Sequence, residues 1–431
     1  MRGAADPRRS LSTLPTTAVS EFPFLIVNQA RVIDYFAEYA ERGPQGQERT
    51  VRAKYVVGCD GSRSRVRDCT GIEVVRDPSA HAWSVMDVLL ETDFPDNRQK
   101  CGIQSDKDGT ILLIPREGGF LARFYVSLGS IDDAPPAEVG RRNPRVFIAG
   151  DACHTHSAKA GQGMNVSMQD GWNLAWKLGQ VLEGRSDASL LATYSEERQQ
   201  IAENLIEFDK AWEGMMSKRP DELEDPQAVG RFYKDNAEFP NGFATQYPAS
   251  SVTGEDTHQA LAAGVPIGKR FESAAVRRVA DTSPRQLGHL FEADGRWRLY
   301  AFADEDRTAV GELADWLADS PDSPVRRFTP ESADLNSVFD AKVVYQQPYQ
   351  EVELADVPAL FLPKMGPYQL TDKEVVFAAD LADDIFEARG IDRGGALIIQ
   401  RPDMYVAHVL PLSAREEITA FFEQNMVSAS V

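Results

Sequence analysis

Between Arg145 and Leu182 an acid, a pair of glycines and a helix start follow one another at a spacing suited to holding a ligand. The apolar run Val146-Phe147-Ile148-Ala149 reads as a strand that ends at Gly150-Asp151. A polar loop with His154, Thr155 and His156 follows, and Ala160-Gly161-Gln162-Gly163-Met164-Asn165 opens a helix. A helix N-terminus offers unpaired N–H groups and a partial positive charge, which suit an electron-rich ligand edge or a developing anion. Glycines at its mouth let a ligand approach the backbone closely. A carboxylate at a strand end, here Asp151, can accept hydrogen bonds from ligand hydroxyls. On shape alone, an ordinary strand–loop–helix connection accounts for the same residues.

A second acid and glycine stand at Asp60-Gly61, after a strand expected over Thr50 to Val57. Strands of α/β sheets bind ligands at their C-terminal ends, although Asp-Gly by itself is a common turn. Arg63, Arg65 and Arg67 follow it, placed to steady phosphates or to anchor a helix start. A third group lies on a hairpin expected over Ile111 to Leu128, turning at Gly118-Gly119. With a two-residue turn, Arg116 pairs with Leu121, and alternation puts Arg116, Arg123 and Tyr125 on one face. Phe120, Ala122, Phe124, Val126 and Leu128 take the other. A solvated face with arginines is the plainer alternative.

The elements that must position these groups are partly legible. Helical spacing runs through Val32, Ile33, Phe36 and Ala40, so a helix is expected over Asn28 to Ala40. Met164, Met168, Trp172, Ala175, Leu178 and Leu182 mark the expected buried face of the central helix. A longer helix over Leu191 to Met215 carries Tyr194, Ile201, Leu205, Phe208, Trp212 and Met215 inward, with Glu196, Glu197 and Arg198 outside. Ala82 to Leu90, Arg298 to Ala303 and Lys342 to Tyr345 read as strands. Ala396 to Gln400 and Tyr405 to Leu410 form a hairpin around Arg401-Pro402-Asp403. Ser413 and Glu416 read as a capping box for a final helix.

Composition bounds the function. A chain of 431 residues is long enough for more than one domain. A formal net charge of −20 argues against a nucleic-acid surface, which needs a basic face. No run of 18 apolar residues occurs and the first twenty residues lack a secretory core, so a cytoplasmic protein without a membrane span is expected. The four cysteines, Cys59, Cys69, Cys101 and Cys153, include no CxxC pair and suit no disulfide framework. Cys153, His154 and His156 could suggest a metal, but no second ligand cluster stands at a usable spacing, and none is expected.

The run from Gly150-Asp151 through Ala160-Gly161-Gln162-Gly163-Met164-Asn165 resembles the second flavin-binding motif of FAD-dependent aromatic hydroxylases, above all the phenol hydroxylase (phenol 2-monooxygenase) family. VVGCDGSRSRVR resembles that family's Asp-Gly motif, and IPREGGFLARFYVSL its substrate-domain sheet. Ala158 stands where the family usually has proline. The resemblance implies FAD held by Asp60, Gly61, Arg63, Asp151, Gly161, Gln162, Gly163, Met164 and Asn165, with the Asp151 carboxylate on the ribityl chain. It implies Arg116 and Tyr125 beside a small phenolic substrate, NADPH as co-substrate, O2 as oxidant, and a homodimer.

The fold implied is α/β (α+β): a truncated Rossmann-like FAD-binding domain, a β-sheet substrate domain and a C-terminal thioredoxin-like domain. Its expected parts are residues 1–73 with the Asp-Gly motif, 74–140 as partial substrate sheet, and 141–218 with the Gly-Asp motif and long helices. A linker over 219–263 and a self-sufficient thioredoxin-like domain over 264–431 complete it. No cysteine stands in that last part, which excludes dithiol chemistry there. No G-x-G-x-x-G occurs before Asp60, and the joins at Glu41 to Gln47 and Gly129 to Asn143 are short for the family. Two functions therefore stand open: an FAD-dependent phenol-hydroxylating monooxygenase, or a shortened relative that folds in part, dimerises and does not catalyse.

Overall fold

The structure, a computed structural model, describes residues 52–72, 81–105, 109–116, 118–130, 144–154, 162–216, 225, 228–236 and 238–428. The helix expected over 28–40 and the site residue Gly161 lie outside the described residues. Two compact units divide the chain: Met1–Met168 with Ala202–Asn241, and Gln169–Ile201 with Gly242–Val431. Among the described residues no helix is long and apolar enough to cross a membrane.

In the first unit, β1 (Val56–Gly58) runs into the short helix α1 (Arg65–Cys69). Strands β2 (His81–Leu89), β3 (Cys101–Ser105), β4 (Gly109–Pro115) and β5 (Leu121–Ser130) form an antiparallel sheet in the order β2-β5-β4-β3. The β4–β5 turn has both Gly118 and Gly119 at positive φ, 77° and 80°. That is the backbone a two-residue hairpin needs to match the strand twist. Strand β2 lies at an edge, with Val85, Met86, Val88 and Leu89 exposed on both of its faces. β6 (Val146–Ile148) pairs in parallel with β1.

Helices α2 (Gly163–Leu182) and α3 (Ala192–Met216) follow, then α4 (Ala228–Asp235). In α3 the expected stripe is buried at Tyr194, Ile201, Leu205 and Trp212. Within the first unit Phe208 stacks on Phe232 and Phe239.

The second unit is built on a seven-stranded sheet. Its strands are β7 (Ala275–Arg278), β8 (Pro284–Gln286), β9 (Trp297–Phe302), β10 (Phe339–Tyr345), β13 (Val376–Ala379), β14 (Ala396–Gln400) and β15 (Val406–Leu410), with the small hairpin β11 (Lys364–Met365) and β12 (Leu370–Thr371) apart from it. The order is β15-β14-β9-β10-β13-β7-β8. β9 and β10 are parallel and joined through helix α5 (Thr308–Asp319), while β14 runs antiparallel to β9 and β15 antiparallel to β14. Helix α6 (Arg415–Glu423) closes the chain. This order and these directions are those of a thioredoxin-like layer. Trp297, Phe339, Phe421 and Phe422 meet edge to face in its core.

Several expectations change. The apolar spacing of α2 marks the wrong face: Met168, Trp172 and Leu182 are exposed, whereas Asp170, Asn173, Lys177 and Gln180 are buried with Leu174 and Trp176. Glu197 and Arg198 of α3, expected outside, are buried too. The reason is mutual satisfaction, since buried charges persist when they are paired and hydrogen-bonded. Glu197 accepts from Arg401 at 2.6 and 2.9 Å, from Lys177 at 2.7 Å and from Asn173 at 2.7 Å. Asp403 accepts from Arg401 at 2.9 and 2.7 Å and from Trp176 Nε1 at 2.9 Å. Arg198 pairs with Asp170 at 2.6 Å and donates to the Tyr247 hydroxyl.

The second unit is therefore not 264–431 alone. It takes in Gln169–Ile201, and residues 242–263 pack within it, with Val252 and Ala262 fully buried where a linker is expected. The capping box at Ser413 does not form, because α6 begins at Arg415 and its N-cap is Ala414, without a side-chain bond. Ser413 lies one position too early to cap it.

Candidate active site

The parallel pairing of β1 and β6 places the two acid-bearing turns side by side. Gly58 aligns with Ile148, and the Ala149 N–H donates to the Gly58 carbonyl at 3.0 Å. Cys59-Asp60-Gly61 and Gly150-Asp151 thus leave the same, C-terminal edge of the strand pair. Arg67, a residue that alternation does not single out, joins them. It is buried at the start of α1 and donates to the Ala152 carbonyl at 3.0 Å and the Ser62 carbonyl at 2.9 Å. Its signal in the sequence is weak: one of three arginines in a row of alternating positions.

The two carboxylates differ in what they do. Asp60 accepts from the Ser64 hydroxyl and from the N–H groups of Arg65 at 2.8 Å and Val66 at 3.1 Å. Those bonds, the Ser64 hydroxyl first, hold its carboxyl below the ordinary aspartate value. Asp60 therefore fixes the turn before α1. Asp151 sits exposed in the single 3-10 turn Gly150–Ala152, open to a ligand. Arg63 is also exposed.

Gly150 has a φ of +61°, and a Cβ there would lie 2.9 Å from the Ser167 Oγ. Gly61 also has a positive φ, +81°, but nothing lies within 4 Å of its Cβ position. Alanine at Gly61 is expected to cost only the left-handed backbone, about 1–2 kcal/mol. Alanine at Gly150 adds a clash with α2 and should cost more, about 2–4 kcal/mol. Urea melts of the two variants read the difference, and equal losses would mean that the β6 turn does not rest on α2.

The mouth of α2 is built from Gln162, Gly163, Met164 and Asn165. Gln162 is buried, its carbonyl accepts from the Val166 N–H at 3.0 Å, and its side-chain oxygen accepts from Asn165 Nδ2 at 3.0 Å. Gly163 and Met164 are half-buried and Asn165 is exposed.

Arg116 and Tyr125 belong to the antiparallel sheet, a separate construction. The Arg116 N–H donates to the Leu121 carbonyl at 2.8 Å, and the register sets Ile114 opposite Arg123 and Leu112 opposite Tyr125. Cross-strand partners share a face, so Arg116, Arg123 and Tyr125 lie on one side of the sheet. Asp87 of β2 joins them, binding Arg123 through two bonds of 2.6 Å. That pairing, supported by the Tyr125 hydroxyl, holds the Arg123 guanidinium above its ordinary value. Tyr125 is 9% exposed. Arg98 fixes the strand end by donating to the Arg116 carbonyl at 2.8 Å.

The residues present fit a flavin at two of its parts. The open Asp151 carboxylate suits a polyhydroxyl chain, and the N–H groups at the start of a 20-residue helix suit an electron-rich ring edge.

Residues 36–140 and 137–209 match the FAD-binding domain model, in two pieces that meet near 140. Residues 245–430 match the phenol hydroxylase C-terminal dimerisation domain. The chain is 42% identical to a 3-hydroxybenzoate 4-monooxygenase of Comamonas testosteroni, covering 95% of this chain and 80% of the relative. That alignment spans 509 positions although 95% of this chain is about 410 residues, so about a hundred positions of the relative face gaps. A phenol 2-monooxygenase of Aspergillus fumigatus is 32% identical over 88% of this chain and 71% of its own length. Among solved structures, the aromatic hydroxylase CabE matches with a TM-score of 0.52 and 25% identity over 86% of this chain and 69% of its own. Aklavinone-11 hydroxylase, solved with FAD and aklavinone, matches in fold with a TM-score of 0.56 and 20% identity over 89% of this chain and 69% of its own. With both domain models matched and relatives of this identity and coverage, the chain belongs to the FAD-dependent aromatic monooxygenases of the phenol hydroxylase family.

Proposed function

We propose that this chain holds FAD at the ends of β1 and β6 and hydroxylates a small phenolic ring with NADPH and O2. The side-by-side exit of the Asp60 and Asp151 turns carries the proposal. Bound FAD would supply the redox and oxygen-transfer chemistry. Asp151 would hold the ribityl hydroxyls as a hydrogen-bond acceptor, and the N–H groups at the start of α2, from Gln162 to Asn165, would serve the flavin's electron-rich pyrimidine edge. Asp60, Gly61 and Arg63 shape the adjoining turn. Arg116 neutralises an anionic substrate group, a phenolate or a ring carboxylate, and the Tyr125 hydroxyl orients the phenolic oxygen. The names of the relatives, which act on hydroxybenzoate and phenol, support this substrate class.

A second reading is a shortened relative that dimerises without catalysing. It is favoured by the two-piece match of the FAD-binding domain and the alignment gaps. Val56 and Val57 are exposed on a parallel strand of a kind usually covered on both faces, which favours it too. No G-x-G-x-x-G stands in these 431 residues to cradle the pyrophosphate.

Titration with FAD, followed by flavin absorbance, separates the readings. Three missing charge-assisted bonds at about 1.5–3 kcal/mol each predict binding at least about a thousandfold weaker than in an intact site. Asp151→Ala should weaken it at least about tenfold further. Tyr125→Phe should weaken a phenolic ligand and leave FAD affinity unchanged. Stoichiometric FAD surviving gel filtration would remove the impaired reading. No binding at millimolar FAD, or equal loss of FAD and phenol in Tyr125→Phe, would remove the first.

A further inference from the structure

The second unit holds most of its apolar side chains in two buried clusters, yet one small element does the reverse. The β11–β12 hairpin carries Tyr368 at 83% exposure, Leu370 at 70% and Met365 at 37%. Met365 and Leu370 are cross-strand partners, so both side chains stand on one face of the ribbon, with Tyr368 in the turn.

The hairpin is held stiffly. Gln369 N–H donates to the Gly366 carbonyl at 3.0 Å, closing a turn with Pro367 and Tyr368 at its centre. Asp334 grips it from outside, accepting from the Gly366 N–H at 2.8 Å and from Gln369 Nε2 at 3.2 Å. The Asp372 N–H donates to the Pro363 carbonyl at 2.8 Å and shuts the base. An aromatic and two aliphatic side chains kept in water on a pre-ordered turn are what a partner's surface uses as anchors, because little freedom is left to lose on binding.

We infer that this hairpin is an arm through which one copy of the chain grips a second. The inference rests on the dimeric reading, and its occupant follows from two observations. The hairpin lies inside residues 245–430, which match a dimerisation domain. Lys364 and Lys373, both exposed, flank the arm, whereas the chain as a whole carries a net charge of −20. The carboxylates nearby are half-buried or engaged within the unit: Asp334 holds Gly366 and Gln369, Asp372 accepts from the Glu374 N–H, and Glu374 pairs with Arg278. An acidic second copy is complementary to that rim and to the apolar tip it surrounds.

Sedimentation equilibrium of the full chain tests this with the Tyr368→Ser, Leu370→Ser double variant. Leu381→Ser, which removes an isolated exposed leucine of the same unit, is the control. The double variant should raise the dimer Kd at least about 30-fold, the loss of one anchor of hot-spot size or more. Its thermal melt at a concentration where both proteins are monomeric should match wild type. A wild-type dimer whose Kd the double variant leaves unchanged, or which Leu381→Ser weakens equally, overturns the arm while the dimer stands. A wild-type chain that is monomeric at every concentration overturns both.

Discussion

Glu197→Ala is expected to destabilise the second unit by about 3–5 kcal/mol, the cost of breaking a buried ion pair and leaving its partners uncompensated. Arg401 and Lys177 are wholly buried around that carboxylate. A unit worth about 5–15 kcal/mol in total would lose about a fifth of its stability or more. Burial pushes the Glu197 carboxyl up, but the charges and hydrogen bonds of Arg401 and Lys177 outweigh it and hold it down to about 2. Burial lowers the Lys177 ammonium to about 8 despite Glu197, with Arg401 repelling it. Arg401 holds the carboxylate through two bonds and Lys177 through one.

The sign of the pH dependence follows. A depressed carboxyl contributes stability that is full above its unfolded value, about 4.3, and is lost as pH falls toward 2. Urea melts between pH 6 and pH 3 should show wild type losing ground that Glu197→Gln never had. A loss below about 1 kcal/mol at pH 7 would mean that the cluster is solvated.

Expressed alone, residues 264–431 are expected to give no cooperative melt. The cut removes Glu197 and Thr253 from Arg401, and Trp176 from both Asp403 and the Trp297 ring, which it meets edge to face at 5.9 Å. Leu190 and Val252 leave the same core cluster, and the Gly254 N–H leaves the Ala407 carbonyl. One large aromatic lost from a core costs about 3–5 kcal/mol and a broken buried ion pair about as much, which together approach the whole stability of such a unit. A chain of residues 163–431 restores these partners and should regain a single transition by calorimetry and circular dichroism. A sharp melt from 264–431 would show that the residues before it merely decorate the sheet.

Local signals made much of this legible. The Gly118-Gly119 turn fixes the β4–β5 register, and with it the shared face of Arg116, Arg123 and Tyr125. The runs Trp297–Phe302 and Ala396–Gln400 are apolar but for Arg298 and Gln400, because both lie inside the large sheet. Helix α5 is not among the expected elements, although Val310, Leu313, Ala314 and Leu317 stand at helical spacing. Strand β3, Cys-Gly-Ile-Gln-Ser, has almost none and is a strand only because β4 offers it a partner. The inward face of α2 was beyond local reading for a related reason. Asn173 and Lys177 look like solvent residues until Glu197 and Asp403 are known to meet them, and hydrophobic spacing carries no information about partners so far along the chain. Asp60 and Asp151 look alike in sequence, and only the bonds from Ser64, Arg65 and Val66 tell the turn-holding acid from the open one.

The same cluster sets a schedule for synthesis. Asn173 and Asp403 are 230 residues apart in the chain, so the inner face of α2 leaves the ribosome long before the loop that neutralises it. At about 5–20 residues per second the wait is roughly 10 to 50 s. During that interval Lys177 has no Arg401-Pro402-Asp403 loop to shield it, and for roughly the first half of it the Trp176 indole has no Trp297 to rest on. The second unit therefore completes its interior only after nearly the whole polypeptide has been made, and truncation close to the end leaves the middle of the chain unfinished.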